Sequence, residues 1–241
     1  MQKVLVALLA LCAPVAAFVA PAPKAALTTA FETKADLQVL AKALNPVVGF
    51  WDPLGLASAK FAGQSEEATI GFLRHAEIKH GRVAMAAFSG FCVQANGVTF
   101  PWPMTIAGDA FPVRDTPGAE WDAVPLNGKL QILGFIGFLE FYSEIAGTHY
   151  MRGGIPGKFP SFKETSLGKL LPVDLYDPAG LANMTPEKSK RGLQSEINNG
   201  RLAMIAIFAF LSESKIPGAV PALSFIKPYA YEYMSPFSAH F

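Results

Sequence analysis

The sequence predicts an all-α membrane protein of three transmembrane helices, the first and third crossed about a pseudo-twofold axis and the middle one standing apart. Three observations predict it. Hydrophobic residues make up 51% of the 241-residue chain and charged residues only 16%, against about a quarter charged in an ordinary soluble domain. The stretch EIKHGRVAM at 77–85 returns as EINNGRLAM at 196–204. Between the copies lies one further apolar run, residues 126–146, of about the length that crosses a bilayer once. The formal charge of +1 offers no electrostatic footprint for nucleic acid.

The N-terminus is read separately. MQKVLVALLALCAPVAAFVA has a Lys near its start, an apolar centre and small residues at Ala16 and Ala17. That is a signal-peptide pattern, too short for a reliable span. The following FVAPAPKAALTTAFETK is rich in Ala, Thr and Lys, with its first acid at Glu32. A signal followed by a transit-like stretch resembles the two-part presequence of plastids acquired by secondary endosymbiosis; plain secretion is the competing reading. Residues 1–34 are therefore set apart as presequence, and 35–241 form one three-helix domain. Cys12 leaves with the presequence and Cys92 then stands alone, so no intramolecular disulfide is expected.

The repeat organises the rest. Glu77 and Glu196 stand 119 residues apart, and the register extends to Phe91 over Phe210 and Gln94 over Glu213. Upstream, FWDPLGLA at 50–57 resembles LYDPAGLA at 175–182. Each half is thus an aromatic-Asp-Pro-x-Gly-Leu-Ala segment, a linker, then a helix carrying Glu-x-x-(His/Asn)-Gly-Arg. The first helix is expected over 65–95, with Ser65 as N-cap, Glu66 and Glu67 in the favourable first turn, and Asn96-Gly97 as its stop. The third is expected over 185–214, with Thr185 as cap, Pro186 at the first helical position and Pro217-Gly218 beyond its end. The middle helix, over 125–147, is apolar nearly all round, broken by Gln131, Glu140 and Glu144. A helix of about 30 residues measures about 45 Å, against a hydrocarbon core of about 30 Å, so the charged ends of the long pair protrude.

The connecting loops differ in charge. Residues 97–124 set Asp109, Asp115, Glu120 and Asp122 against Arg114, whereas 148–191 carry Arg152, Lys158, Lys163, Lys169, Lys188, Lys190 and Arg191. The positive-inside tendency places the second loop and the N-terminus on the side of insertion and the acidic loop across the membrane.

Ionisable residues within a span point to function when their partners can be named. Across a pseudo-twofold crossing Glu77 meets Arg201 and Glu196 meets Arg82, while Gly81 and Gly200 let the helices approach closely. Packing alone would account for the pairs. It leaves His80 and Asn199, each three residues after a Glu, one turn along and about 60° round. Both have a lone pair to offer outward. A chlorophyll requires such a donor, because its Mg²⁺, held by four ring nitrogens, keeps an open axial position that takes hard oxygen and tolerates imidazole. A Glu ligand would bring an uncompensated charge into lipid; the Arg of the other helix cancels it. No metal is expected beyond the Mg²⁺ of the pigment. A zinc hydrolase reading of HAEIKH at 75–80 fails because its histidines are five apart, about 140° round the helix, where the metalloprotease pair needs four. His75 is therefore read as an interfacial or surface residue. The motifs GxSxG and GxxxxGK[ST] are absent.

Together, EIKHGRVAM and EINNGRLAM, the two Asp-Pro-x-Gly-Leu segments and the three-span layout resemble the light-harvesting chlorophyll-binding antenna family, over residues 47 to about 220. HYMRGG (149–154), PWPM (101–104) and SEINNGRLAM (195–204) resemble its chlorophyll a/c branch, the dinoflagellate peridinin type first and the diatom fucoxanthin type a close second. The resemblance implies a non-enzymatic antenna in the plastid thylakoid membrane that passes excitation to a photosystem. Its cofactors would be chlorophyll a, chlorophyll c and xanthophylls (peridinin or fucoxanthin, with diadinoxanthin-like companions). Its partners would be a photosystem core, other antenna subunits, pigments and lipids.

Residue by residue, the resemblance implies that Glu77, His80, Glu196 and Asn199 are Mg ligands, with Arg82 and Arg201 as cross-helix partners. Gln131 and Glu140 fall where the middle helix supplies further ligands, but nine apart instead of the plant type's eight, with Glu144 as a substitute. Glu213 falls where plant relatives carry a ligating Gln, and the repeat adds Gln94 at the equivalent point. Two carotenoids would lie in the grooves of the crossed helices, lined by Met85 and Met204. Their hydroxylated ends would meet Asp52, Pro53 and Gly55 in one half and Asp177, Pro178 and Gly180 in the other, unless these turns merely lead into the helices. His149 and His240 are read as ordinary loop and terminal residues ahead of peripheral ligands. Two other readings stay open on sequence alone. One is a stress-responsive relative that dissipates excitation through the acids of the 97–124 loop; the other is a pigment-free membrane scaffold.

Overall fold

The computed structural model describes residues 33–160, 162 and 185–229. Residues 1–32, which hold all but the last two residues of the expected presequence, lie outside the described residues, as do Asp177, Pro178, Gly180 and His240. Every regular element among the described residues is helical: α1 (Lys34–Leu44), α2 (Glu66–Ala95), α3 (Pro117–Ala123), α4 (Leu126–Ile145) and α5 (Pro186–Lys215), with single 3-10 turns between. Local chemistry sets their ends. Thr33 and Asp36 form a reciprocal capping box on α1. The Ser65 hydroxyl accepts from the Ala68 amide at 3.1 Å to open α2, and Gly97, at φ +69°, turns the chain away after Asn96. Thr185 occupies the cap position of α5 but makes no side-chain cap bond. That helix starts instead on the fixed φ of Pro186.

The long helices α2 and α5 cross on two glycines. A Cβ built on Gly81 would stand 3.1 Å from the Cα of Gly200, and one built on Gly200 would stand 2.9 Å from the Cα of Gly81. Backbone touches backbone there, which no larger residue allows. Ile78, Ala84, Ile197 and Ala203 are buried on either side of the contact. Further along, the ring of Phe210 packs between Phe88 and Phe91, both at 5.2 Å. At the far end, both carboxylate oxygens of Glu213 accept backbone amides, from Gly218 at 2.9 Å and Val220 at 2.7 Å. These bonds turn the chain back so that the Tyr229 amide reaches the Ser214 carbonyl. α1 lies along α5 and is held by Asn198, whose amide donates to the Leu44 carbonyl at 3.3 Å.

Among the described residues, no helix is long and apolar enough to cross a membrane. Length is not what fails, since α2 and α5 each have 30 residues. Charge is: Arg74, Glu77, Lys79 and Arg82 interrupt α2, Glu196 and Arg201 interrupt α5, and Lys129, Glu140 and Glu144 interrupt α4. The outer surface is nonetheless strongly apolar. On α4 the side chains of Leu126, Leu130, Ile132, Leu133, Phe135, Ile136, Phe138 and Phe141 are all exposed, and at 100° per residue they are spread round its whole circumference.

The glycine contact gives a direct test. Gly200→Val should cost about 1–3 kcal/mol, because the Gly81 backbone it meets has no side chain that can move aside. A substitution at the solvent-facing Gly192, with nothing within 4 Å of its Cβ position, should be far milder. Thermal unfolding followed by helical circular dichroism measures both.

Candidate functional site

The crossing carries its charges reciprocally. Arg201, from α5, donates to Oε1 of Glu77 on α2 at 2.7 Å. Arg82, from α2, donates through Nε to Oε1 of Glu196 on α5. The two halves are not equivalent, however. Glu77 receives a second guanidinium, since Arg74, one turn earlier on the same helix, donates to its Oε2. The repeat sets Leu193 where a counterpart of Arg74 would stand, so among the described residues Glu196 has Arg82 alone and its Oε2 accepts no bond. Each side chain of the two pairs is part-buried, apart from the more open Arg201. Charges in that setting are tolerable only when opposed by a neighbour.

One turn after each Glu stands a donor with a free lone pair. His80 is exposed, and its Nδ1 lies 2.7 Å from the Ala76 carbonyl. A carbonyl can only accept, so Nδ1 carries the proton and Nε2 keeps its lone pair facing outward. The Asn199 amide nitrogen donates to the Ser195 hydroxyl at 3.2 Å, which leaves Oδ1 outward and available. In both cases a bond within the helix fixes the side chain so that the remaining atom can ligate, the arrangement that metal-binding His and amide groups require.

The middle helix brings a pair that sequence reasoning missed. Lys79 reaches from α2 to Glu140 on α4 at 2.5 Å, and lies 3.9 Å from Glu144. Nothing in the repeat flagged Lys79, whose counterpart is Asn198. Glu140 is thus a charge-compensated carboxylate like Glu196, whereas Glu144 also holds His149 at 2.8 Å. Gln131 and Gln94 are exposed, with no bond to their amides among the described residues. Met85 and Met204 are half-buried beside the crossing.

Two of the expected site residues, Glu213 and Asp52, are bonded within their own turns. Glu213 is buried with both oxygens engaged by Gly218 and Val220, so it closes the end of α5 instead of facing outward. Asp52 is turned on its own segment: Oδ1 accepts from Leu56 at 2.9 Å and Oδ2 from Ala57 at 3.0 Å, while Gly55 takes φ +65° to complete the turn. His149, read from sequence as an ordinary loop residue, is engaged within its loop, with Nε2 on Glu144 and Nδ1 accepting from the Met151 amide at 3.2 Å. His75, read from sequence as interfacial or surface, is buried and stacked on Tyr150 at 3.9 Å.

With that geometry in place the comparisons with known proteins are decisive. The profile of the chlorophyll A-B binding protein family matches residues 37–215. The chain belongs to that family. Among the relatives of this chlorophyll-binding protein is a fucoxanthin-chlorophyll a-c binding protein of Trieres chinensis, 32% identical over 89% of this chain and 96% of the relative. A fucoxanthin-chlorophyll a-c binding protein F of Phaeodactylum tricornutum is 31% identical over 86% and 92%. The D protein of Macrocystis pyrifera is 33% identical over 70% and 82%. All three names are qualified as chloroplastic. The similarity places the chain in the chlorophyll a/c branch of the antenna family, whose members bind pigment and are not enzymes.

Two outcomes follow from the site. Arg82→Leu leaves the part-buried Glu196 without a cation among the described residues and should cost about 1–3 kcal/mol. Arg201→Leu should cost less, because Arg74 still opposes Glu77; thermal unfolding of the two variants ranks them. The Asp52 turn has a defined acid limit. The Ala57 amide above all, with the Leu56 amide and the Lys34 charge, holds the Asp52 carboxyl below the usual range, against some desolvation. A depressed folded pKa stabilises the turn above the unfolded value of about 3.8 and is lost as pH falls through the folded value. Amide exchange at Leu56 and Ala57 should accordingly stay slow at pH 5 and rise only below about pH 3.8, and Asp52→Asn should remove that dependence.

Proposed function

We propose that this protein is a light-harvesting antenna that spans the plastid thylakoid membrane three times through α2, α4 and α5, binding chlorophyll a, chlorophyll c and a xanthophyll of the fucoxanthin class. The observation that carries the reading is the helix crossing: opposite charges cancel across it, and just beside them His80 and Asn199 turn a free lone pair outward. Neither feature helps a soluble bundle. The donors also suit the group, since a neutral imidazole nitrogen and an amide oxygen bring no charge to an Mg²⁺ whose ring already balances it. Bound chlorophyll and carotenoid would absorb light and hand the excitation on toward a photosystem, and no bond is made or broken.

The protein's part is positional. His80 and Asn199 would hold the Mg²⁺ of a chlorophyll, with their tautomer and rotamer fixed by Ala76 and Ser195. Glu196 ligates through the oxygen that Arg82 leaves open, and Glu77 through remaining lone pairs of a carboxylate held by Arg74 and Arg201. Glu140 serves on the middle helix with Lys79 as its counter-charge, and Gln131 and Gln94 complete the set. Glu213 is left out, because its carboxylate closes the end of α5. Met85 and Met204 line the grooves for carotenoid. The Asp52, Pro53 and Gly55 turn offers its remaining polar edge to a hydroxylated end, as Asp177, Pro178 and Gly180 would in the other half.

The charges that make each helix too polar to cross alone support the spanning reading once the helices are paired. A helix is judged singly by its charges, but Glu77, Arg82, Glu196 and Arg201 enter the apolar phase as neutral pairs. Lipid and pigment then cover the apolar flanks of α4 and the exposed Leu202, Ile205 and Phe208 of α5. A photosystem core and other antenna subunits are the natural neighbours of such a surface.

Reconstitution of the mature chain with chlorophyll a, chlorophyll c and fucoxanthin, followed by pigment chromatography, tests this reading. His80→Leu and Asn199→Leu should each lose one chlorophyll per chain while helical content stays at the wild-type level. Unchanged pigment in both variants, or a colourless product from the wild type, would refute it.

A further inference from the structure

One peptide group, that of Gly157, is held at both ends by α2. Its N–H donates to Nδ1 of the buried His75 at 3.1 Å, and its carbonyl accepts from Nη1 of Arg82 at 2.7 Å. The same stretch of loop puts the Phe159 ring 5.1 Å from the Arg82 guanidinium, a cation–π contact. Arg82 is therefore gripped on three sides: by Glu196, by a carbonyl and by an aromatic face. Among the described residues its repeat counterpart Arg201 meets only Glu77 and is more exposed.

We propose that His75 and Gly157 are positioning residues for the Glu196 site: they lock the loop over 149–160 onto α2, and so hold Arg82 against a single oxygen of Glu196 and leave the other for the pigment's metal. The proposal rests on the reading of Glu196 as a ligand. Three observations carry it. First, Gly157 is irreplaceable on two counts, with φ +76° and a Cβ position only 2.8 Å from Ile78 Cγ2. Second, His75 keeps an unfavourable arrangement for the sake of the clamp. Because Nδ1 accepts from an amide, the proton of the neutral ring sits on Nε2, and that atom is buried with no partner among the described residues. The ring is fixed by Tyr150, stacked at 3.9 Å and 11°, and by the edge of Phe159 at 6.1 Å. Third, among the described residues the clamp exists only on the side that needs it. Glu77 has two guanidinia and tolerates a mobile one; Glu196 has one, and its free oxygen stays free only while Arg82 cannot slide to bridge both.

The test uses the mature chain reconstituted with chlorophyll a, chlorophyll c and fucoxanthin, with two independent readouts. Glu196→Leu first defines, by difference absorption, the band that belongs to that site. His75→Leu and Gly157→Ala should diminish or shift this same band and leave the band defined by His80→Leu in place. Hydrogen exchange of the Gly157 amide should accelerate about tenfold in His75→Leu. His75→Asn, whose Oδ1 stands near the position of Nδ1, should restore both the band and the slow exchange. Faster exchange with an unaltered Glu196 band would overturn the positioning role, as would proportional loss of every band without rescue by Asn. If Glu196→Leu removes no band, the ligand reading fails and takes the proposal with it, while the exchange data still report whether the clamp is present.

Discussion

A carboxylate can be held in an apolar bundle only beside a cation, and in this protein each long helix supplies the cation that the other lacks. That exchange explains much of what surrounds it. It makes α2 and α5 interdependent, because either alone would expose a part-buried charge. It demands close approach, which Gly81 and Gly200 provide by removing both side chains at the point of contact. It also frees the polar atoms one turn further on, since His80 and Asn199 are bonded within their own helices and are not called upon to neutralise anything.

The loops are subordinate to this crossing. The segment after α4 reaches α2 through His75, Arg82 and Ile78, and α4 itself is tied to α2 by Lys79. The chain beyond α5 folds back on Glu213 and lies against α3, where Tyr229 donates to Asp122 at 2.7 Å and fills the space above Gly118. A polar device marks each place where an irregular segment meets the helix pair. The apolar surfaces are left outward, where lipid and pigment can cover them.

The crossing was legible in the sequence because the repeat wrote it twice: a Glu, a Gly and an Arg in the same order on two helices leave one sensible way to pair them. The start of α2 was legible for a local reason, a Ser before two acids. What escaped shares a physical cause. Lys79 and His75 act on groups that no periodicity links to them, and although Arg74 stands one turn before Glu77, Leu193 at its repeat position concealed that Glu77 has two partners. Glu213 is read as a ligand from the family resemblance, whereas its carboxylate is engaged by the backbone amides of Gly218 and Val220, bonds that no helical spacing announces. The spacing of five between His75 and His80 does separate their faces. Only the loop around Gly157, distant in sequence, decides which of those faces is inside.

The near-symmetry of the two halves stops at their electrostatics. Among the described residues Glu77 faces an excess positive charge, from Arg74, whereas Glu196 and Arg82 balance. Fields of this kind shift the transition energy of a chromophore in proportion to its change of dipole, so identical pigments seated at the two positions would absorb at different wavelengths. A duplicated ancestor would have offered two equal rungs; with pigment at both, a single arginine without a twin in the repeat would turn them into a step and give the excitation shared between them a preferred direction.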